Sequence, residues 1–471
     1  MPTHDYLTPT LNYIDSLLEF RQSRSNVPGI AVAITHRGKV IFGKGYGLAD
    51  IERKVPVTPE TCFHVASHSK TFTAAAVMIL VDRGMLRLDD PIARWLPWIR
   101  KHSDTRVPRV TVRELLSHGS GLIRDGSDSE YWSLKRPFPS DSELKKDVLR
   151  SRLVLERNTE MKYSNYGFGL LGMIVTAAGQ RPFAEFIQSE ILRPLKLKST
   201  SAEVVSTTQQ LISAGYTRHE PINPRCPVDF PDTRSLAAAT GFISNTLDLC
   251  RFFSMLLPSD GRLLSANSKR EMLNSSWSVA GDNGRREYGL GVMIEYVRGH
   301  RLFRHTGGFP GHNTYTMVDP DSEIAVSVLT NSLEQEASAI GSGIWSTLLT
   351  MRARFRPESP KAATAKFRGR FLALFGGVDY LPIGGGKVLG LNPYAGWDPF
   401  LTPPSEFEVE NGTTLRAVRM NSYMAVGERV KFSFDRRGFA KKVTAAGREL
   451  LPPEEYYSAM SGCSRIGERY R

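Results

Sequence analysis

Strand-forming segments stand at both ends of the first three-quarters of this chain, and helix-forming segments fill the interval between them. The apolar run Val27–Ile34, the polar turn His36-Arg37-Gly38-Lys39 and the β-rich run Val40–Gly47 predict a hairpin. Strand character returns at Tyr288–Ile294, His312–Val318 and Ile324–Thr330. In between, Thr71–Leu86, Val112–Leu116, Phe168–Ala178 and Leu247–Leu257 have helical spacing, the first ending near Gly84. Ahead of the hairpin, Leu11–Phe20 places Ile14, Leu17 and Leu18 on one helix face. Polar loops at 123–145 and 217–235 interrupt the helices and are expected to line a cleft. This pattern suits an α+β domain over residues 1–353, with one antiparallel sheet built from both ends and helices packed over it.

Arg354–Thr364 is rich in Pro and small polar residues and reads as a linker. Beyond it, short alternating segments such as Lys387–Leu391 and Val430–Phe434 are set off by Gly, Pro and Asn. Residues 365–471 therefore read as a second, all-β unit, a sandwich or barrel. Gly384-Gly385-Gly386-Lys387 lacks the spacing and the Ser/Thr of a phosphate loop and reads as a hairpin turn.

The charge balance, 61 Lys and Arg against 48 Asp and Glu, gives a net charge of +13. The basic residues are dispersed and no nucleic-acid-binding motif accompanies them, so a solvated surface is expected and nucleic acid is not. The longest apolar run, Ala74–Val81, is too short to span a bilayer, and no secretory signal is visible. Cys62, Cys226, Cys250 and Cys463 are scattered and read as reduced. These features predict a cytoplasmic protein with no membrane partner. No H-E-x-x-H, Cys/His ligand cluster or G-x-S-x-G occurs, so neither a metal nor a cofactor is expected, and the α/β-hydrolase elbow is not supported.

The chemistry concentrates in three short segments. In Phe63–Ala74, Ser67 precedes an apolar helix and Lys70 lies one turn along the same face. A serine hydroxyl needs a base to become a nucleophile, and a buried lysine of lowered pKa can serve. A second S-x-x-K, Ser142/Lys145, sits in a polar stretch and reads as an exposed helix start. In Met161–Gly167, Tyr163 and Asn165 point to one side if the segment is extended. There a tyrosine beside an ammonium ionises more easily and carries protons, while an amide orients a substrate. In Phe303–Gly311, ahead of a predicted strand, His305 and Thr306 supply polar side chains, and Gly307 and Gly308 permit close backbone approach. His68, His118 and His312 read as surface or packing residues.

The order and spacing of Ser67/Lys70, Tyr163/Asn165 and His305/Thr306/Gly307 resemble the S-x-x-K, Y-x-N and K/H-T-G pattern of the serine β-lactamase and penicillin-binding-protein superfamily. The class C-like branch is the one resembled, with its D-alanyl-D-alanine carboxypeptidases, D-aminopeptidases and esterases. Val112–His118, Gly241–Ser244 and Tyr288–Gly291 are similar to that family too, and the resemblance covers roughly residues 10 to 350. The C-terminal unit resembles the lipocalin-like barrel appended to some members. A β-lactamase/transpeptidase-like fold is implied. So are roles: Ser67 as nucleophile, Lys70 and Tyr163 as the proton relay, and Asn165 as the group that orients the substrate's acyl-side amide. The Ser67 and Gly308 N–H groups form the implied oxyanion hole, with His305, Thr306 and Gly307 binding substrate. Two departures stand out: His305 replaces the lysine of class C β-lactamases, and Gly119 replaces a common threonine.

The expected function is a serine hydrolase working through an acyl-enzyme on amides, above all short peptides or amides with D-residues. The substrate is a small molecule or short peptide, and a homo-oligomer is compatible. A carboxylesterase, an acyl transferase or peptide cyclase, and a silent binding or self-assembling scaffold remain as alternatives. If the C-terminal unit covers the cleft, its removal should broaden specificity.

Overall fold

The computed structural model describes residues 6–204, 211–220, 225–279, 285–334, 336–357, 364–421 and 424–461. Cys463, residues 358–363 of the expected linker and residues 221–224 of the second polar loop lie outside the described residues. The chain divides into two compact units, Gln22–Gly341 and a second made of Met1–Arg21 with Ser342–Arg471.

In the first unit, nine strands form one antiparallel sheet drawn from both ends of the unit. Its N-terminal part is the hairpin Gly29–His36 and Lys39–Asp50, turned at Arg37 and Gly38 with φ of 51° and 72°. Those left-handed conformations match the twist of a two-residue hairpin. The late strands Ile324–Thr330, His312–Asp319 and His300–Phe309 complete the centre. The two ends meet where Ile30 pairs with Thr330 and His36 with Ile324. Residues 29–35, 312–319 and 324–330 are buried throughout; the first and last therefore read as near-continuous apolar runs, whereas 312–319 buries the polar His312, Asn313, Thr314, Thr316 and Asp319.

The helix His68–Asp82 is buried at every position from His68 to Leu80. A helix apolar on all sides is stable only when enclosed, and Asn165–Gly179 is one of the helices that enclose it. Phe72, Leu115, Leu170, Phe242 and Phe252 belong to the core cluster around both. Ser142 and Lys145 lie on the helix Asp141–Arg150, whose first turn is exposed and capped by Ser140.

Two local expectations differ from the structure. Phe303–Phe309, placed ahead of a strand by the sequence, is itself part of the strand His300–Phe309, paired from Phe303 to Phe309 with His312–Val318. The turn comes at Pro310-Gly311, where Gly311 has φ +81°, so Gly307 and Gly308 lie within the strand itself. Tyr288–Ile294 is likewise two strands, Arg286–Tyr288 and Met293–Val297, separated by a segment that buries Leu290 and Val292.

The second unit contains eight antiparallel strands in sequential order, from Gly369–Ala373 to Arg448–Leu450. The sheet nearly closes into a barrel, with the Leu372 N–H donating to the Leu451 carbonyl at 2.7 Å. Phe367, Phe371, Tyr380, Phe407 and Phe432 fill its interior, Phe371 and Phe432 meeting edge to face at 5.8 Å. The expected glycine hairpin turn lies between Gly376–Gly384 and Lys387–Leu391. Tyr13 and Leu17 of the N-terminal helix pack with Leu381 and Leu389 of this unit.

Candidate active site

Ser67 stands at the N-terminus of the helix His68–Asp82, and its side chain makes no capping bond, so the hydroxyl is left for other partners. The preceding Ala66 has φ +46°, an unfavourable conformation for a residue with a Cβ, and the turn is clamped from two sides. The Val65 N–H donates to the Phe242 carbonyl at 2.9 Å. On the other side, a Cβ on Gly307 would stand 2.2 Å from the Val65 oxygen. The strand His300–Phe309 can therefore approach Val65 this closely only with glycine at 307. Gly308 itself is exposed, with open space where a Cβ would be.

Lys70 Nζ lies 3.1 Å from Ser67 Oγ and donates to Asn165 Oδ1 at 2.7 Å and to the Ala239 carbonyl at 2.8 Å. The Tyr163 phenol donates to Ser67 Oγ at 2.9 Å. The four side chains Ser67, Lys70, Tyr163 and Asn165 thus come together from segments almost a hundred positions apart. Asn165 is not in an extended segment with Tyr163: it opens the helix Asn165–Gly179, capped by Ser164, while Tyr163 lies just before it. The loop 118–125 pins this junction. The Ser164 N–H donates to His118 Nδ1 at 3.1 Å, and the Asn165 N–H donates to the Arg124 carbonyl at 2.9 Å.

Burial sets the protonation of the cluster. It pulls the Lys70 amine well below its usual value, with Asp125 acting to raise it and Arg124 to lower it. It pushes the Tyr163 phenol up, only partly opposed by the hydrogen bond to Ser67. The shift runs opposite to the easily ionised tyrosine expected from the sequence, because desolvation outweighs the Ser67 hydrogen bond and the Arg124 charge. Burial thus favours the uncharged form of both groups, the amine and the phenol.

His305 is placed beneath the cluster rather than on its open face. It is 1% exposed, its Nε2 lies 3.4 Å from the Tyr288 hydroxyl, and burial moves its pKa well below the usual imidazole value. The Tyr288 hydroxyl also meets His118 Nε2 at 3.2 Å, and the His118 ring packs on the Tyr163 ring at 4.2 Å. Thr306 is partly exposed and Gly307 buried. His68 and His312 are fully buried and hydrogen-bonded to neighbouring groups, as packing residues.

Sequence reasoning missed Asp125, Arg124 and Tyr288 as parts of the site. Asp125 Oδ1 accepts from Asn165 Nδ2 at 2.6 Å and from Trp132 Nε1 at 3.1 Å, and Arg124 pairs with its other oxygen at 2.9 Å. The available signal was the polar loop that begins at 123. Among the described residues the groups with metal-ligand spacing are His300, Asp319 and Asp321, which are not among the residues of this cluster.

The model of the beta-lactamase family matches residues 14–345. The chain belongs to the beta-lactamase family. This family of serine hydrolases includes proteins of several activities. Protein flp of Staphylococcus aureus (strain MW2) is 24% identical over 322 residues, which are 68% of this chain and 62% of that protein. The chain therefore spans less than two thirds of the length of such curated relatives. The octameric penicillin-binding protein homologue from Pyrococcus abyssi has a similar structure, with a TM-score of 0.64 and 23% identity, covering 93% of this chain and 99% of that one. D-amino acid amidase from Ochrobactrum anthropi SV3, complexed with L-phenylalanine amide, has a TM-score of 0.59 and 25% identity over 73% of this chain and 99% of that one. Among the described residues, no helix is long and apolar enough to cross a membrane.

Proposed function

We propose that this member of the family is a serine hydrolase that forms an acyl-enzyme at Ser67 and acts on amide bonds of short peptides or amides with D-residues. The observation that carries the reading is the position of Ser67 Oγ between Lys70 Nζ at 3.1 Å and the Tyr163 hydroxyl at 2.9 Å. A neutral amine has two N–H groups and one lone pair. Two carbonyl oxygens, of Asn165 and Ala239, take both N–H groups, so the lone pair is left for the Ser67 hydroxyl proton.

In the first half-reaction Ser67 Oγ bonds to the substrate carbonyl carbon and its proton passes to Lys70. The N–H groups of Ser67 and Gly308 hold the oxyanion, with the helix N-terminus adding favourable potential. Tyr163 donates its proton to the departing nitrogen as the C–N bond breaks, and the Lys70 ammonium restores the phenol. Water then repeats the sequence on the ester. Asn165 orients the acyl-side amide of the substrate.

A neutral, buried His305 is no anchor for a substrate carboxylate, which favours substrates uncharged at that point and disfavours efficient β-lactam hydrolysis. The likeness to a D-amino acid amidase supports the D-configured amide. The octamer described for the Pyrococcus abyssi homologue supports a homo-oligomer.

The test is intact-mass analysis after treatment with a fluorophosphonate, followed by a panel of D- and L-aminoacyl anilides, short esters and a cephalosporin. One adduct on Ser67 and a preference for D-anilides are expected. Ser67→Ala should lose on the order of 10³ to 10⁶ in rate. Absence of the adduct, or a tenth of the activity left in that variant, overturns the reading; a preference for esters replaces only its substrate.

A further inference from the structure

We propose that Asp125 is a positioning residue that fixes the direction of the hydrogen-bond chain ending on Ser67, with Arg124 as its counter-ion. This rests on the reading above, that Ser67 is the nucleophile and Lys70 its base. It adds a residue outside the three motifs, on a loop that contributes none of them.

The Asn165 amide has a donor end and an acceptor end. A carboxylate held by a guanidinium can only accept, and Asp125 Oδ1 already accepts from Trp132 Nε1 at 3.1 Å. The Asn165 atom 2.6 Å from that oxygen must therefore be the NH₂ group. The other end, which faces Lys70 Nζ at 2.7 Å, must be the oxygen. Lys70 then has to spend an N–H on Asn165 and another on the Ala239 carbonyl, and its lone pair is directed at Ser67. The chain runs one way: Tyr163 donates to Ser67, Ser67 to Lys70, Lys70 to Asn165 and Asn165 to Asp125.

Without an acceptor at position 125 the Asn165 amide can turn over and offer its NH₂ to Lys70. The amine would then point its lone pair at Asn165 and an N–H at Ser67, the wrong polarity for a base. Asp125 is suited to prevent this, because its side chain is only 12% exposed and is held by several donors. Arg124, 61% exposed, lies over the Tyr163 ring at 5.5 Å while pairing with Asp125.

The pair also bears on Lys70 electrostatically, Asp125 favouring its ammonium and Arg124 disfavouring it. The other titratable groups facing Lys70 are Tyr163, 4.8 Å from Nζ to the ring centre, and the imidazoles of His118 and His305, both held neutral by burial. The 237–241 segment and the helix Asn165–Gly179 present only uncharged groups to it, Ala239, Asn165 and Phe168.

The experiment follows the rate of fluorophosphonate labelling of Ser67 against pH in the full chain, which requires no knowledge of the natural substrate. Asp125→Leu removes the acceptor and should lower the plateau rate by roughly 10- to 100-fold, the usual cost of misdirecting a reacting group. Asp125→Asn keeps an acceptor oxygen but removes the charge, so it should restore most of the plateau while moving the acid limb to lower pH. Arg124→Gln should move that limb to higher pH, because the cation that disfavours the Lys70 ammonium is gone. A plateau for Asp125→Leu within about twofold of wild type overturns the proposal, since a geometric role demands a larger loss. Should Asp125→Leu fail to fold, equal limbs in Asp125→Asn and Arg124→Gln overturn it, and opposite displacements support it. Wild-type protein that takes no label on Ser67 defeats the earlier reading instead.

Discussion

Gly307 approaches Val65 so closely that a Cβ on it would stand 2.2 Å from the Val65 carbonyl oxygen. Val65 lies two residues before Ser67, the proposed nucleophile, and Gly307 one residue before Gly308, the proposed second oxyanion donor, so on that proposal this one contact sets the distance between the two donors. Gly307→Ala should force the strand away and lower kcat by roughly 10²- to 10³-fold, comparable with losing a donor outright. Steady-state kinetics beside a thermal melt checks this; a folded variant with near wild-type kcat refutes it.

Tyr163→Phe removes the phenol that stands 2.9 Å from Ser67 Oγ and leaves the ring packing against His118. Loss of a general acid typically costs about 10²- to 10⁴-fold, and the loss should be concentrated in substrates with poor leaving groups. The anilide-to-activated-ester rate ratio should therefore fall. An unchanged ratio would remove Tyr163 from proton delivery.

Because burial lowers the Lys70 pKa, the deprotonated form, which is the proposed base, should gain population at a pH well below the 10.5 of a free lysine. Acylation should rise with pH and then level, and Lys70→Met should abolish the rise together with the activity. Stability carries the same sign. The folded state binds fewer protons at Lys70 than the unfolded state, so this residue's contribution becomes more favourable as pH rises from the folded pKa toward the unfolded one. Urea midpoints of wild type and Lys70→Met measured across that range should converge at high pH.

In the second unit, Arg370 makes two bonds of 2.7 Å to Asp379, and the two side chains are 6% and 4% exposed. Arg370 also donates to the Ser16 carbonyl at 3.1 Å. Arg370→Met leaves a buried carboxylate without its partner, which should cost about 3 to 5 kcal/mol in the stability of this unit. Chemical denaturation of the full chain provides the measurement, and an unchanged midpoint would contradict the assignment.

Much of the fold can be read along the chain because periodicity reports burial. The run Ile324–Thr330 reads as a strand and is one over those same residues, since every side chain in it is buried. Val112–Leu116 is helical over its expected span, where Thr111 and Glu114 form a capping box. Close approach could be read from Gly307 and Gly308, but not that they lie within a paired strand, nor that the backbone Gly307 comes close to is that of Val65.

The linear order of residues alone supplied the three motifs, because S-x-x-K places a hydroxyl and an amine one helical turn apart whatever else the chain does. It could not supply Asp125 or Tyr288, whose partners lie 40 and 170 positions away, at Asn165 and His118. Nor could it decide which of Lys70 and Tyr163 holds a proton, since that depends on how much water the packed core excludes from each. Spacing is a property of the covalent chain, whereas desolvation and the polarity of a hydrogen-bond network belong to the folded one. The directions of the Lys70 and Tyr163 pKa shifts were therefore set only by tertiary structure.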